Sequence, residues 1–222
     1  MSTLEYVLVE PNVEATATVI WLHGLGSNGH DFEGILPELN LPADAPVRFI
    51  FPHSPSRAVT INGGMMMPAW YDIITMGSKR ELNTQHLLDS AEQIALIIDN
   101  ECEKGISSDR IIVAGFSQGG AVAYQAALSY PKPLAGLLAL STYFPTSNSI
   151  SYSEVNQALP IEVMHGLTDP VVLLEMGRDA VNDLNAAKFK PNWTTYPMEH
   201  SVCLDEIKDI AVWFKQTLKL NE

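Results

Sequence analysis

The chain of 222 residues has 46% apolar and 18% charged side chains, the balance of a globular protein with enough length for one sizeable core. Its 26 Asp and Glu against 13 Lys and Arg give a formal net charge of -13, which argues against nucleic-acid backbones and anionic membrane surfaces, since both are held by clustered basic side chains. Cys102 and Cys203 are too few for a disulfide framework and lack metal-ligand spacing, no apolar run approaches the ~18 to 20 residues that span a bilayer, and the acidic N-terminus lacks the basic start of a secretory signal. A cytoplasmic location is expected.

In chain order, short β-branched apolar runs alternate with longer amphipathic ones. Strands are predicted over 5–9, 17–23, 47–51, 110–115, 135–140, 160–165 and 192–197. Several are apolar on both faces, as in a sheet covered by helices on both sides. The clearest helix is 85–104, where Leu87, Leu88, Ala91, Ile94, Ala95, Ile98 and Cys102 recur at three- and four-residue steps, with Thr84 placed to cap the start and Gly105 just beyond the end. Further helices are predicted over 118–130, stopped by Pro131, over 174–188, and over 204–219 with Ile207, Ile210, Ala211, Phe214 and Leu218 on one face. This alternation gives an α/β class, with a mostly parallel central sheet in one domain over 1–222. Residues 52–83 follow neither period and hold a cluster of Met and aromatic residues, so a functional loop or a misread element is expected there.

Gly115-Phe116-Ser117-Gln118-Gly119 satisfies G-x-S-x-G with a predicted strand before it and a helix after it. Ser117 then occupies a sharp strand-to-helix turn, with the flanking glycines needed because a Cβ there would strike backbone. The alternative is a glycine-rich helix start capped by a serine. A serine nucleophile needs a base. Two histidines follow, His165 and His200, and the acid is expected between serine and base. Glu162 lies inside the same predicted strand as His165, a poor pairing. Asp169 lies on a loop directly after a strand, and His200 on a loop between the last strand and the last helix. Ser117, Asp169 and His200 are therefore expected at the carboxyl edge of the sheet.

An oxyanion hole needs two backbone N–H donors. One is assigned to Gln118, the other to Leu25 in the loop "HGLGSNG" after the second predicted strand. That loop lacks the G-x-G-x-x-G spacing and the following acidic residue of a dinucleotide site.

The blocks "VIWLHGLGSNGHDF", "RAVTINGGMMMPAWYDI", "RIIVAGFSQGGAVAYQAAL", "VMHGLTDPVV" and "MEHSVCLDEI" together resemble the carboxylesterase and acyl-protein thioesterase family of the α/β hydrolases, which includes lysophospholipases. The resemblance implies the α/β-hydrolase fold without a large cap domain, Ser117 as nucleophile, His200 as base and Asp169 as its orienting acid, with Leu25 and Gln118 donating to the oxyanion. It also implies an acyl groove walled by Met65, Met66, Met67, Trp70 and Ile74, with Val171 beside it, although for each of these a place in the ordinary core is an equal alternative. Glu199 before His200 and Leu173 after "DPVV" depart from the pattern, and the carboxylate beside the base is expected to affect the pH optimum.

The expected reaction is two-step hydrolysis of short- to medium-chain esters, and of acyl thioesters or lysophospholipids, with no metal or cofactor required. Substrates would be small or lipid-like acyl esters or an acylated protein, and the resemblance allows a homodimer. Alternatives are a non-catalytic hydrolase-like binding protein, or a peptidase using the same residues.

Overall fold

The structure is a computed structural model that describes residues 4–77 and 80–220. Among the described residues nine strands are present: β1 (Tyr6–Val9), β2 (Ala17–Leu22), β3 (Val47–Pro52), β4 (Ser56–Val59), β5 (Met65–Pro68), β6 (Ile111–Phe116), β7 (Gly136–Leu140), β8 (Ile161–Gly166) and β9 (Asn192–Tyr196). Four α-helices accompany them: α1 (Thr84–Glu103), α2 (Gln118–Ser129), α3 (Leu174–Ala186) and α4 (Leu204–Thr217). Seven strands form one sheet in the order β1-β3-β2-β6-β7-β8-β9. Only β1 runs antiparallel to its neighbour; the other pairings in this sheet are parallel.

The strands read as continuous apolar runs because alternate residues enter two different layers. Ile20, Leu22, Ile111 and Val113 pack on one side with Leu87 and Ile94 of α1 and Tyr124 of α2. Val19, Trp21, Ile112 and Ala114 face the other side, against Ile207, Ile210 and Phe214 of α4. Each buried Val, Leu, Ile or Phe among them contributes roughly 1.5 to 3 kcal/mol by leaving water. Helix α2 is buried from Gln118 to Leu128. Its Gly and Ala residues let it lie close against the centre of the sheet.

The caps and faces of α1 differ in detail from the sequence reading. Its N-cap is Asn83 rather than Thr84, with the Asn83 side chain accepting from the His86 N–H at 3.0 Å. Leu88, Ala95 and Cys102 are only half-buried, while Ile97 and Glu101 are buried. Glu101 tolerates this because Thr18, Arg48 and Lys104 all donate to it, at 2.8, 2.7 and 2.8 Å. Burial pushes its carboxyl up, and these three donors more than offset that, leaving it below the ordinary value.

The irregular 52–83 segment contains an antiparallel hairpin, β4 with β5, pairing Ser56 with Pro68 and Val59 with Met65. Side chains fasten the loop beyond it: Asp72 accepts from the Thr60 N–H and hydroxyl, both at 2.7 Å, and Ile73 bridges to Leu82. Residues 78 and 79 of this segment lie outside the described residues. Among the described residues no large cap covers the sheet: between β7 and β8 the chain forms turns and one short 3-10 helix at Glu154–Asn156.

Candidate active site

Strand β6 ends at Phe116 and α2 begins at Gln118, so Ser117 alone makes the reversal, at φ 53° and ψ -120°. Such a backbone costs about 1 to 3 kcal/mol for a residue with a Cβ and persists only where the surroundings fix it. Here the Ser117 N–H donates to the Leu140 carbonyl at 2.9 Å, and the Ser117 carbonyl accepts from the Thr142 hydroxyl at 2.6 Å. The space for the turn depends on Gly119, where an added Cβ would stand 2.5 Å from the His23 carbonyl oxygen and 2.6 Å from that of Leu22. Ser117 makes no side-chain capping bond to α2. Its hydroxyl meets a histidine instead.

Ser117 Oγ lies 2.9 Å from His200 Nε2, and His200 Nδ1 lies 2.6 Å from Asp169 Oδ2. Asp169 Oδ1 accepts the N–H groups of Val171 and Val172, both at 2.8 Å. Burial pushes the Asp169 carboxyl up, but the bond and charge of His200 with these two amides outweigh it and hold it below the ordinary carboxylate value. An ionised acid on Nδ1 keeps the proton on that nitrogen and leaves Nε2 free to accept the serine proton. The His200 ring rests on Phe116, centroids 4.8 Å apart.

The loops carrying acid and base are stitched together. The Leu167 N–H donates to the Tyr196 carbonyl at 2.8 Å, and Thr168 donates to the Met198 carbonyl through both its N–H and its hydroxyl. His165, the other candidate base, is fully buried at the end of β8 and lies near Asp169 Oδ2 at 3.7 Å without reaching the serine. Its Nε2 donates to the Val172 carbonyl at 2.8 Å, and burial holds the ring below the ordinary histidine value. Glu162, in the same strand, is held by Asn192 and Thr194.

Leu25 and Gln118 line a cavity of about 250 Å³ together with Ser117 and His200. Among the described residues no acceptor takes up the backbone N–H of either. The neighbouring Gly26 N–H is occupied, donating to the Pro68 carbonyl at 2.8 Å. The Gln118 side chain works as a strut: its Oε1 accepts from the Trp70 N–H at 2.8 Å and its Nε2 donates to the Tyr71 carbonyl at 2.6 Å. Trp70 in turn donates its indole N–H to the His23 carbonyl at 2.8 Å, beneath the Leu25 loop.

Of the groove residues named from sequence, Val171 lines the cavity. The other five are placed elsewhere. Met65 and Met66 project from β5, each 63% exposed, and Met67 pairs opposite Arg57 with its sulfur accepting from Asn62. Trp70 is fully buried in the core, and Ile74 points outward at 42% exposure. The walls come instead from their chain neighbours Tyr71 and Ile73, with Met76, Arg80, Phe116 and Tyr143. In extended chain, a shift of one residue exchanges the two faces. The buried-and-exposed contrast between Ile73 and Ile74 is such an exchange, and the sequence gives no parity for a segment outside the main sheet.

The phospholipase/carboxylesterase family model matches residues 4–218. The chain belongs to that family. It is 37% identical to acyl-protein thioesterase 1 of Neurospora crassa over 96% of this chain and 91% of the relative, and 34% identical to the Cryptococcus neoformans protein of the same name over 98% and 99%. Among solved structures, Arabidopsis thaliana SOBER1 superimposes with a TM-score of 0.85 at 30% identity, covering 91% of this chain and 99% of that one. Zea mays acyl-protein thioesterase 2 superimposes with 0.84 at 28% identity, covering 96% and 99%. As a family member, the protein is an α/β hydrolase that cleaves ester or thioester bonds. Among the described residues no helix is long and apolar enough to cross a membrane.

Proposed function

We propose that the protein is a serine hydrolase that cleaves short- and medium-chain acyl esters and S-acyl thioesters through Ser117, His200 and Asp169. The observation that carries this reading is the continuous hydrogen-bonded line from Asp169 through His200 to Ser117, opening into a cavity with apolar walls. His200 Nε2 takes the Ser117 proton as Oγ attacks the acyl carbonyl carbon. The negative oxygen of the tetrahedral intermediate is held by the Leu25 and Gln118 N–H groups, an interaction worth on the order of 10² to 10³ in rate per donor. Collapse breaks the bond to the alcohol or thiol, which leaves with the proton from His200. Water then repeats the sequence on the acyl-enzyme, releasing the acid and restoring Ser117.

Asp169 stabilises the charged imidazole and fixes which nitrogen carries the proton. Val171 with Tyr71, Ile73 and Met76 would hold the acyl chain. Relatives named as acyl-protein thioesterases make an S-acylated protein a substrate class for this site, and a lysophospholipid presents the same carbonyl. A binding protein without catalysis would have no use for the spacing of the three groups.

The test compares hydrolysis of p-nitrophenyl esters from acetyl to palmitoyl with release of thiol from an S-acylated cysteine peptide, each with Ser117→Ala as blank. Saturable turnover of both, lost in the variant, is expected. Turnover of neither above the blank would sink the reading.

A further inference from the structure

Beside the catalytic cavity lies a second one of about 350 Å³, lined by Phe144, Pro145, Asn148, Met176, Ala180 and Asp183 among others. Among the described residues two, Arg80 and Tyr143, border both cavities. Tyr143 is fixed: it is 5% exposed and its hydroxyl lies 2.9 Å from that of Tyr71, itself fully buried. Arg80 is half-buried and reaches across from the loop after β5. Its guanidinium carbon lies 4.9 Å above the Tyr143 ring, and one terminal N–H donates to the Val171 carbonyl, two residues beyond Asp169. A planar cation stacked on an aromatic face and hydrogen-bonded at its end is a well-anchored partition.

Resting on the hydrolase reading above, we propose that Arg80 determines acyl-chain length: its side chain closes the catalytic cavity against the neighbouring one and confines the acyl group to the space beside Ser117. Without it, the two cavities join past Tyr143. A longer chain would then continue over Tyr143, Phe144, Pro145 and Met176, gaining apolar contact that the wild-type wall denies it, until it meets the polar side of that cavity at Ser147, Asn148, Asp179 and Asp183. Each further methylene buried strengthens binding, so the gain grows with chain length until the second cavity is full. The effect is steric, so a side chain of similar length without charge should retain much of the wall.

The experiment measures kcat/KM for p-nitrophenyl butyrate and decanoate, below their aggregation limits, in the wild type, Arg80→Ala and Arg80→Met. The expected result is a decanoate-to-butyrate ratio raised about tenfold or more in Arg80→Ala and little changed in Arg80→Met. A double variant, Arg80→Ala with Asn148→Trp, should refill the second cavity and bring the ratio back toward wild type. An unchanged ratio in Arg80→Ala overturns the proposal, as does an equal rise in Arg80→Met, which would make charge and not bulk the cause. Loss of the folded state in Arg80→Ala, read by circular dichroism, also overturns it, because the side chain would then be a structural tie. If the wild type hydrolyses neither ester, it is the hydrolase reading that fails.

Discussion

Asp169→Asn separates the role of the acid from the fold that holds it. Asp169 Oδ1 accepts two backbone N–H groups at 2.8 Å, so an Asn in its place must keep its carbonyl oxygen there and turn its NH2 toward His200. The 2.6 Å bond to Nδ1 then changes sense, since the side chain at 169 can only donate to it. Nδ1 becomes the bare nitrogen and the ring proton moves to Nε2, 2.9 Å from Ser117 Oγ, where an acceptor is required. The expected loss is on the order of 10³ to 10⁴ in kcat, about 4 to 5.5 kcal/mol of barrier. Because both amides keep their acceptor, thermal stability should fall less than in Asp169→Ala, which leaves them unsatisfied at about 1 to 3 kcal/mol. Ester hydrolysis at neutral pH and a melting curve read the two effects. The acid-range stability provides a second check. Since the folded carboxyl lies below its unfolded value, its contribution is present above ~3.9 and is lost as pH falls below that. The stability gap between wild type and Asp169→Asn should therefore be level from about pH 5 to 8 and narrow below about 4. An Asp169→Asn enzyme retaining more than a tenth of wild-type kcat would refute the tautomer argument.

Glu206, fully buried in the first turn of α4, is pushed up to about 8, chiefly by burial and partly offset by the Cys203 backbone. Its folded value lies above its unfolded one, so the native state keeps a proton that the unfolded chain releases, and stability falls as pH rises from ~4.3 to 8. Denaturant titrations of Glu206→Gln should show a flatter pH dependence and, near pH 9, a gain on the order of 5 kcal/mol; a slope unchanged from wild type would contradict this. Gly119→Ala would drive a Cβ against the His23 and Leu22 carbonyls, and a loss of about 1 to 3 kcal/mol with displacement of the Leu25 loop is expected. Wild-type kcat and melting temperature in that variant would show that the turn has room to spare. Gln118→Ala keeps the backbone donor but leaves the Trp70 N–H and Tyr71 carbonyl without their partner, so about 2 to 4 kcal/mol of stability should go, measured by urea unfolding.

The main sheet and the four helices are legible in the sequence because each strand serves two apolar layers, α1, α3 and α4 each show an apolar stripe, and α2, buried along its length, is marked by the turn at Ser117 before it and Pro131 after it. The last helix is the plainest case, with Ile207, Ile210, Ala211, Phe214 and Leu218 all buried. Ser117, Asp169 and His200 could be picked out because each follows a strand whose end fixes its position, and the fold brings them within hydrogen-bonding distance. The cavity wall was not readable in the same way. Its segment is held by single contacts such as Asp72 to Thr60 and Gln118 to Trp70, which leave no period behind. Composition marked the Met and aromatic cluster as apolar, but which of Trp70 or Tyr71, and Ile73 or Ile74, turns to the cavity depends on tertiary contacts. Arg80 carried no signal, since a charged residue in an irregular stretch reads as solvated. Glu101 was hidden likewise, because the Arg48 and Thr18 that pay for its burial in α1 lie far off in sequence, on β3 and β2.

The central claim is that Ser117 is an activated nucleophile, and intact-mass analysis after treatment with a fluorophosphonate tests it most directly. The account predicts one phosphonyl adduct per chain, mapped to the Ser117 peptide and absent from Ser117→Ala. An unmodified wild-type chain, or an adduct that persists in Ser117→Ala, would contradict it.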